Sequence, residues 1–178
     1  SNFSMQGSIT DMRAPIGILG HGFVGRAVHE FFEKHGHPVR VHDKDPNRST
    51  HDLAETCAAD FVFVCVPTPS RNGRQDQTAL DEVQDALSQW SSRFTTVVVK
   101  STVLPGTCRR MADRLPNPVV FSPEFLTART ANYDFAHPDS IILGGPDARK
   151  VEILLTRYHP DVPVLRVSWE TAELIKYA

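Results

Sequence analysis

A doubly wound α/β domain with a mostly parallel sheet is the fold class this sequence predicts, on three observations. Short apolar runs alternate along the chain with stretches of helical periodicity. The first run leads directly into a glycine-rich turn, and the longest, Phe61-Val62-Phe63-Val64-Cys65-Val66, is apolar throughout, as a parallel strand covered on both faces requires. Taken in order, Ile16–Leu19 reads as the first strand. Val24, Ala27, Val28, Phe31 and Phe32 have helical spacing after it, and Val39–His42 alternates as a strand. Phe61–Val66 is the next strand, followed by a helix on Leu80, Val83, Ala86, Leu87 and Trp90. Val97–Val99, Val119–Phe121, Ile141–Leu143 and Val164–Val167 read as further strands, with helices over Thr107–Leu115 and Val151–Tyr158 between them. Pro67–Thr78, rich in Pro, Gly and Asn, reads as a loop.

With 178 residues the chain is one ordinary domain, able to bury roughly two-thirds of its unfolded surface without a metal or disulfide staple. Charged residues make up 22 % and the formal charge is −2, with no basic run to grip a phosphate backbone, so nucleic acid is not an expected partner. The apolar runs fall far short of the roughly 18 residues a membrane span needs. Residues 1–13 are polar and lack a hydrophobic signal core; they read as a disordered leader or residues carried over from cloning, in a cytoplasmic context. Cys57, Cys65 and Cys108 are odd in number and widely spaced, which predicts reduced thiols. His35, His37 and His42 cluster without a metal-ligand spacing, so no metal is expected, and His35–His37 reads as a polar turn between helix and strand.

The turn itself is Gly20-His21-Gly22-Phe23-Val24-Gly25, between the first strand and the helix on Val24, Ala27, Val28, Phe31 and Phe32. In such a loop the first glycine makes the tight turn, the second lets backbone amides approach a pyrophosphate, and the third lets helix and strand pack closely. Aligned peptide dipoles then favour the anion. The pattern predicts a Rossmann-type dinucleotide site. Asp43, closing the next strand, can accept hydrogen bonds from both ribose hydroxyls, whereas a 2′-phosphate there sets like charges in contact, at about 4 kcal/mol per unit of repulsion near 4 Å. NAD is therefore favoured over NADP. Lys44 and Arg48 leave two readings open, cations that receive a phosphate or solvated loop charges.

Ligands of such sheets lie beyond the carboxyl ends of the strands. Those ends carry Val66-Pro67-Thr68-Pro69-Ser70, Lys100-Ser101-Thr102-Val103-Leu104-Pro105-Gly106-Thr107 and Ser122-Pro123-Glu124-Phe125-Leu126. Thr68, Ser101 and Thr102 offer hydroxyls to ribose or nicotinamide beside Val66 and Pro67; the competing reading is turn chemistry, with Thr107 as a helix N-cap.

These segments in this order resemble the UDP-glucose/GDP-mannose dehydrogenase family, specifically its N-terminal NAD-binding domain, from about Ile16 to the end of the chain. Asn72-Gly73 followed by Asp76, Asp134-Phe135-Ala136-His137-Pro138 and Ala172-Glu173-Leu174-Ile175-Lys176-Tyr177-Ala178 complete the series. The resemblance implies that Gly20, Gly22, Gly25, Asp43, Thr68, Thr102 and Arg48 contact NAD, that Glu124 lines the reaction cleft, and that Lys176 is the active-site lysine, stabilising oxyanion charge. It implies a cofactor domain over 14–167 and the start of a connecting helix over 168–178. Relatives oxidise a primary alcohol to a carboxylate with two NAD molecules, through a cysteine thioester. Ala128 and Ser140 stand where the family commonly has an acid and an arginine, and none of the three cysteines matches the nucleophile. The expectation is a chain that binds NAD without completing the reaction. Nucleotide-sugar binding and a homodimer are expected only with the rest of such an enzyme. A non-catalytic module or split-enzyme partner, and a 3-hydroxyacid or 6-phosphogluconate-type dehydrogenase domain, are the alternative readings.

Overall fold

The computed structural model describes residues 13–177, so the leader expected over 1–13 lies, Arg13 apart, outside the described residues. Seven strands form one sheet: β1 (Ile16–Leu19), β2 (Val39–His42), β3 (Phe61–Val64), β6 (Thr96–Val99), β7 (Val119–Phe121), β8 (Ile141–Gly144) and β9 (Val164–Val167), in the spatial order β2-β1-β3-β6-β7-β8-β9. β4 (Ser70–Arg71) and β5 (Arg74–Gln75) form a separate hairpin. The helices are α1 (Phe23–Lys34), α2 (Leu53–Cys57), α3 (Thr78–Trp90), α4 (Thr107–Arg114), α5 (Ala131–Ala136), α6 (Ala148–Thr156) and α7 (Trp169–Ile175).

Successive residues of a strand point to opposite faces, and the two cores follow from that. Val62, Val64, Val97 and Val99 pack on one face with Leu80 and Leu87 of α3 and Met111 of α4. Ile16, Ile18, Phe63, Val98 and Val120 pack on the other with Val28, Phe31 and Phe32 of α1 and Val151 of α6. Because both faces are covered, the central strands are buried almost throughout and apolar but for Thr96 at the start of β6. The chain runs from β1 to β2 on one side and returns to β3 on the other, which puts the topological switch point at the carboxyl ends of β1 and β3.

Five strands are parallel, whereas β8 runs antiparallel to β7 at Phe121 and Gly144, and β9 follows β8 in parallel. The strand expected over Phe61–Val66 ends at Val64, and the segment expected as plain loop contains the β4–β5 hairpin. Asn72 (φ 52°) and Gly73 (φ 74°) at its tip both occupy the left-handed region that a two-residue hairpin turn requires.

His35–His37 forms the expected turn between α1 and β2, but one of its histidines is buried. His37 is 5 % exposed: its Nδ1 lies 2.8 Å from the Ala14 carbonyl, which fixes the proton there, so Nε2 accepts the Tyr158 hydroxyl at 2.6 Å. Burial holds its pKa below the usual 6.5, partly offset by the Ala14 carbonyl. A histidine with a depressed folded pKa contributes stability that is present above 6.5 and lost as pH falls through the folded value. The thermal midpoint is therefore expected to be lower at pH 5 than at pH 7.5, with a smaller difference in His37→Asn; equal differences in the two proteins contradict this.

Candidate functional site

At the switch point the ends of β2, β1, β3, β6 and β7 open into a cleft of about 610 Å³. Every residue singled out as cofactor-binding or catalytic in the sequence lines it except Gly25. The three glycines divide as the chemistry of the loop demands. Gly20 has φ +94°, and a Cβ there sits 2.7 Å from the Cys65 carbonyl oxygen. A Cβ on Gly25 lies 2.0 Å from the Gly20 carbonyl oxygen, so Gly25 serves the contact between α1 and β1 rather than the ligand. Gly22 differs from both: its backbone is extended (φ −75°, ψ −160°), open to any residue, and a Cβ there meets nothing within 4 Å. The space in front of Gly22 is the cleft. Beyond it α1 begins with no side-chain cap and no acid in its first turn, so its leading amides, those of Phe23 and Val24 among them, are unclaimed by acceptors among the described residues and carry the positive end of the helix. Pyrophosphate fits that surface.

One strand away, Asp43 accepts the His21 amide at 2.6 Å through Oδ2 and the Asp45 amide at 2.9 Å through Oδ1. Burial alone raises its pKa, but these two amides and the nearby Arg48 outweigh burial and hold the carboxyl below its ordinary value. It is thus a fixed anion with a lone pair left on each oxygen for a ribose hydroxyl. Lys44 pairs with Glu82 at 2.8 Å and Arg48 with Asp45 at 3.5 Å. Both cations face carboxylates, which weakens their reading as a 2′-phosphate receptor.

Three strand spacings further, about 14 Å, lies the polar end of the cleft. Two of the three expected hydroxyls are committed to the backbone. Thr68 Oγ1 donates to the Thr102 carbonyl at 2.5 Å, and Ser101 Oγ to the Val66 carbonyl at 2.7 Å. The Thr102 side chain lines the cleft, and its hydroxyl makes no hydrogen bond to another described residue. Thr107 is the first residue of α4 and not its cap; Gly106 (φ +89°) takes that place, with Glu173 accepting its amide.

Sequence reasoning missed Lys100. At 7 % exposure its ammonium lies 3.0 Å from Glu124 Oε2 and 3.2 Å from Ser122 Oγ, and 5.5 Å from the centre of the Phe135 ring. Glu124, 8 % exposed, accepts the Leu126 amide at 2.9 Å through its other oxygen. The only sequence signal was a lysine closing the buried run Thr96–Val99; that β6 and β7 are neighbours, so that Lys100 meets Ser122 and Glu124, is a fact of topology. Lys100, Glu124 and Leu126 also line a second cavity of about 450 Å³, whose far wall is Phe135, Ser140 and His159. Lys176, at the end of α7, donates to the Glu124 carbonyl and lies 5.3 Å from the Phe125 ring centre. It is a cleft residue, not a solvated helix lysine.

No cysteine is activated. Burial pushes the Cys57 thiol up to about 11 and Cys65 up to about 12. Cys108, despite its place at the start of α4, is raised by burial and by the Glu173 carboxylate. Among the described residues no group of three His, Cys, Asp or Glu is placed to hold a metal, and no helix is long and apolar enough to cross a membrane.

Comparison with known proteins agrees with this geometry. Residues 48–161 match the model of the UDP-glucose/GDP-mannose dehydrogenase family, NAD binding domain. The UDP-glucose 6-dehydrogenase of Rhizobium meliloti is 33 % identical over 92 % of this chain and 48 % of its own length. The GDP-mannose 6-dehydrogenase of Pseudomonas aeruginosa is 36 % identical over 67 % of this chain and 31 % of its own. Among solved structures, a UDP-glucose dehydrogenase from Pyrobaculum islandicum superposes with a TM-score of 0.80 at 28 % identity, covering 96 % of this chain and 50 % of that one. A ternary complex of the P. aeruginosa GDP-mannose dehydrogenase does so with a TM-score of 0.75 at 29 % identity, covering 93 % and 48 %. The chain spans half or less of the length of these curated relatives, the R. meliloti UDP-glucose 6-dehydrogenase and the P. aeruginosa GDP-mannose 6-dehydrogenase. A doubly wound sheet, a cleft shaped for a dinucleotide and the family match thus agree: the chain belongs to the UDP-glucose/GDP-mannose dehydrogenase family, as its NAD-binding domain.

Proposed function

We propose that NAD lies across the ends of β2, β1, β3 and β6, and that this chain is the cofactor-binding part of a nucleotide-sugar 6-dehydrogenase that converts a C6 alcohol to a carboxylate. The uncapped start of α1 beside Gly22, one strand from Asp43, carries the reading. Pyrophosphate sits on the amides of Gly22, Phe23 and Val24; Asp43 holds the adenosine ribose, with Arg48 at its rim; Val66, Pro67 and Thr68 flank the bridge; Ser101 supports Thr102, whose hydroxyl meets the nicotinamide end. When bound, NAD supplies the hydride acceptor. There the Lys176 ammonium is placed to stabilise oxyanion charge and Glu124 faces the reacting carbon. The nucleotide sugar, the further domain that recognises it, a homodimer of the complete enzyme and a cytoplasmic location belong to the same proposal. Residues 14–167 form its cofactor domain, and α7 begins its connecting helix. The family match removes the 3-hydroxyacid and 6-phosphogluconate alternative.

The test is a thermal melt with added NAD. At 100 times its dissociation constant, NAD stabilises by about 2.7 kcal/mol, a rise of about 5 to 10 °C for a domain of this size; no rise sinks the assignment. Asp43→Ala removes hydrogen bonds to a charged acceptor, each worth about 1.5–3 kcal/mol. Calorimetric titration is therefore expected to show NAD bound at least roughly 10- to 100-fold more weakly, the loss of about one such bond, and the preference over NADP largely gone, whereas an unchanged preference assigns discrimination elsewhere.

A further inference from the structure

α7 does more than carry Lys176. Trp169, Ala172, Glu173 and Lys176 recur at the spacing of one helical stripe, and the whole stripe faces the body of the domain. The Trp169 indole N–H donates to the Val119 carbonyl at 2.8 Å over Gly145, where a Cβ falls 2.3 Å from Nε1. The Ala172 methyl occupies the space left by Gly144, 2.6 Å from where a Cβ there would stand. Just past the helix, the Tyr177 hydroxyl donates to the Val103 carbonyl at 3.2 Å.

Glu173 is the member of this stripe that apolar packing cannot explain. It is 0 % exposed, and no lysine, arginine or histidine among the described residues pairs with it. An isolated buried carboxylate is unfavourable unless its oxygens are hydrogen-bonded. Here both are: Oε2 accepts the Gly106 amide at 2.6 Å and Oε1 the Cys108 amide at 2.8 Å, at the positive end of α4. The segment leading into that end is the one that carries Ser101 and Thr102. It is tied from the other side by Ser101 to Val66, and by Thr68 and the Gln75 side chain to the Thr102 carbonyl. One carboxylate therefore joins the helix that delivers Lys176 to the loop that delivers Thr102.

We propose that Glu173 is a positioning residue for the nicotinamide end of the cleft, setting Lys176 and Thr102 relative to each other without touching cofactor. The inference rests on the NAD placement above, and it divides the cofactor in two. The pyrophosphate and adenosine depend on α1 and Asp43, which Glu173 does not reach, whereas the nicotinamide depends on the clamped pair. Gln at this position presents one acceptor and one NH2, so one α4 amide then faces a donor.

The experiment compares NAD with ADP-ribose, which lacks the nicotinamide, in parent and Glu173→Gln, by calorimetry and by hydrogen exchange of residues 169–177. NAD is expected to bind the variant about tenfold more weakly, with ADP-ribose within twofold of the parent and exchange across α7 accelerated. Equal weakening of both ligands, or unchanged NAD binding, overturns the clamp. Should the variant fail to fold, the parent decides: NAD is expected to slow exchange in α7 more than ADP-ribose does, and equal protection overturns the proposal. A parent that binds neither ligand overturns the cofactor placement itself, a result separate from a clamp that fails while both ligands bind.

Discussion

Gly22→Val is expected to melt at the parent's temperature without ligand and to lose the whole 5 to 10 °C rise that NAD gives the parent. Valine tolerates the extended backbone at this position, and its side chain enters space where a Cβ meets no atom within 4 Å. The fold has no use for that glycine; in the proposed placement the pyrophosphate does. Gly25→Ala is the opposite case. Its methyl lands 2.0 Å from the Gly20 carbonyl oxygen, a backbone atom that cannot rotate away. Overpacking of this kind costs about 1–3 kcal/mol or more, so the unliganded midpoint is expected to fall by about 5 °C. Two glycines three residues apart thus separate ligand from fold in one melting experiment. A destabilised Gly22→Val, or one that still responds to NAD, contradicts the placement of the pyrophosphate.

The second large effect concerns the buried pair between the two cavities. Lys100→Met leaves the Glu124 carboxylate without its cation at 8 % exposure. Breaking a buried pair by removing one partner costs about 3–5 kcal/mol, whereas replacing both is often near neutral. The single variant is expected to melt about 10 °C lower. Lys100→Met with Glu124→Gln is expected to regain most of that, because glutamine can still accept the Leu126 amide and leaves no unpaired charge. The coupling is read from a double-mutant cycle of urea melts. Additive losses would show that the two side chains do not depend on each other.

Much of this molecule was legible in its sequence because the signals are periodic or stereochemical. Runs such as Phe61–Val66 and Val97–Val99 declared strands covered on both faces, which form as Phe61–Val64 and Thr96–Val99, and the glycine loop and Asp43 meet in one cleft. What escaped has identifiable causes. α2 and α5, at five and six residues, are too short for a helical period to show, although Asp52 and Glu55 form a capping box that marks the start of α2. The reversal at β8 left no trace, since an apolar strand reads the same in either direction. Lys100 and Glu173 are polar residues placed by strand order and helix docking, so their partners stand 24 and about 65 residues away, beyond the reach of local pattern. The hydroxyls of Thr68 and Ser101 were visible as polar groups at strand ends. That they serve backbone carbonyls first became apparent only in three dimensions.

The most direct test of the central claim is an amide NMR titration with NAD. The largest shifts are expected on Gly20 to Gly25 and on Asp43, with smaller ones at Thr102 and Lys176. Shifts concentrated instead on His137, Ser140 and His159, around the second cavity, with the glycine loop unmoved, would contradict it.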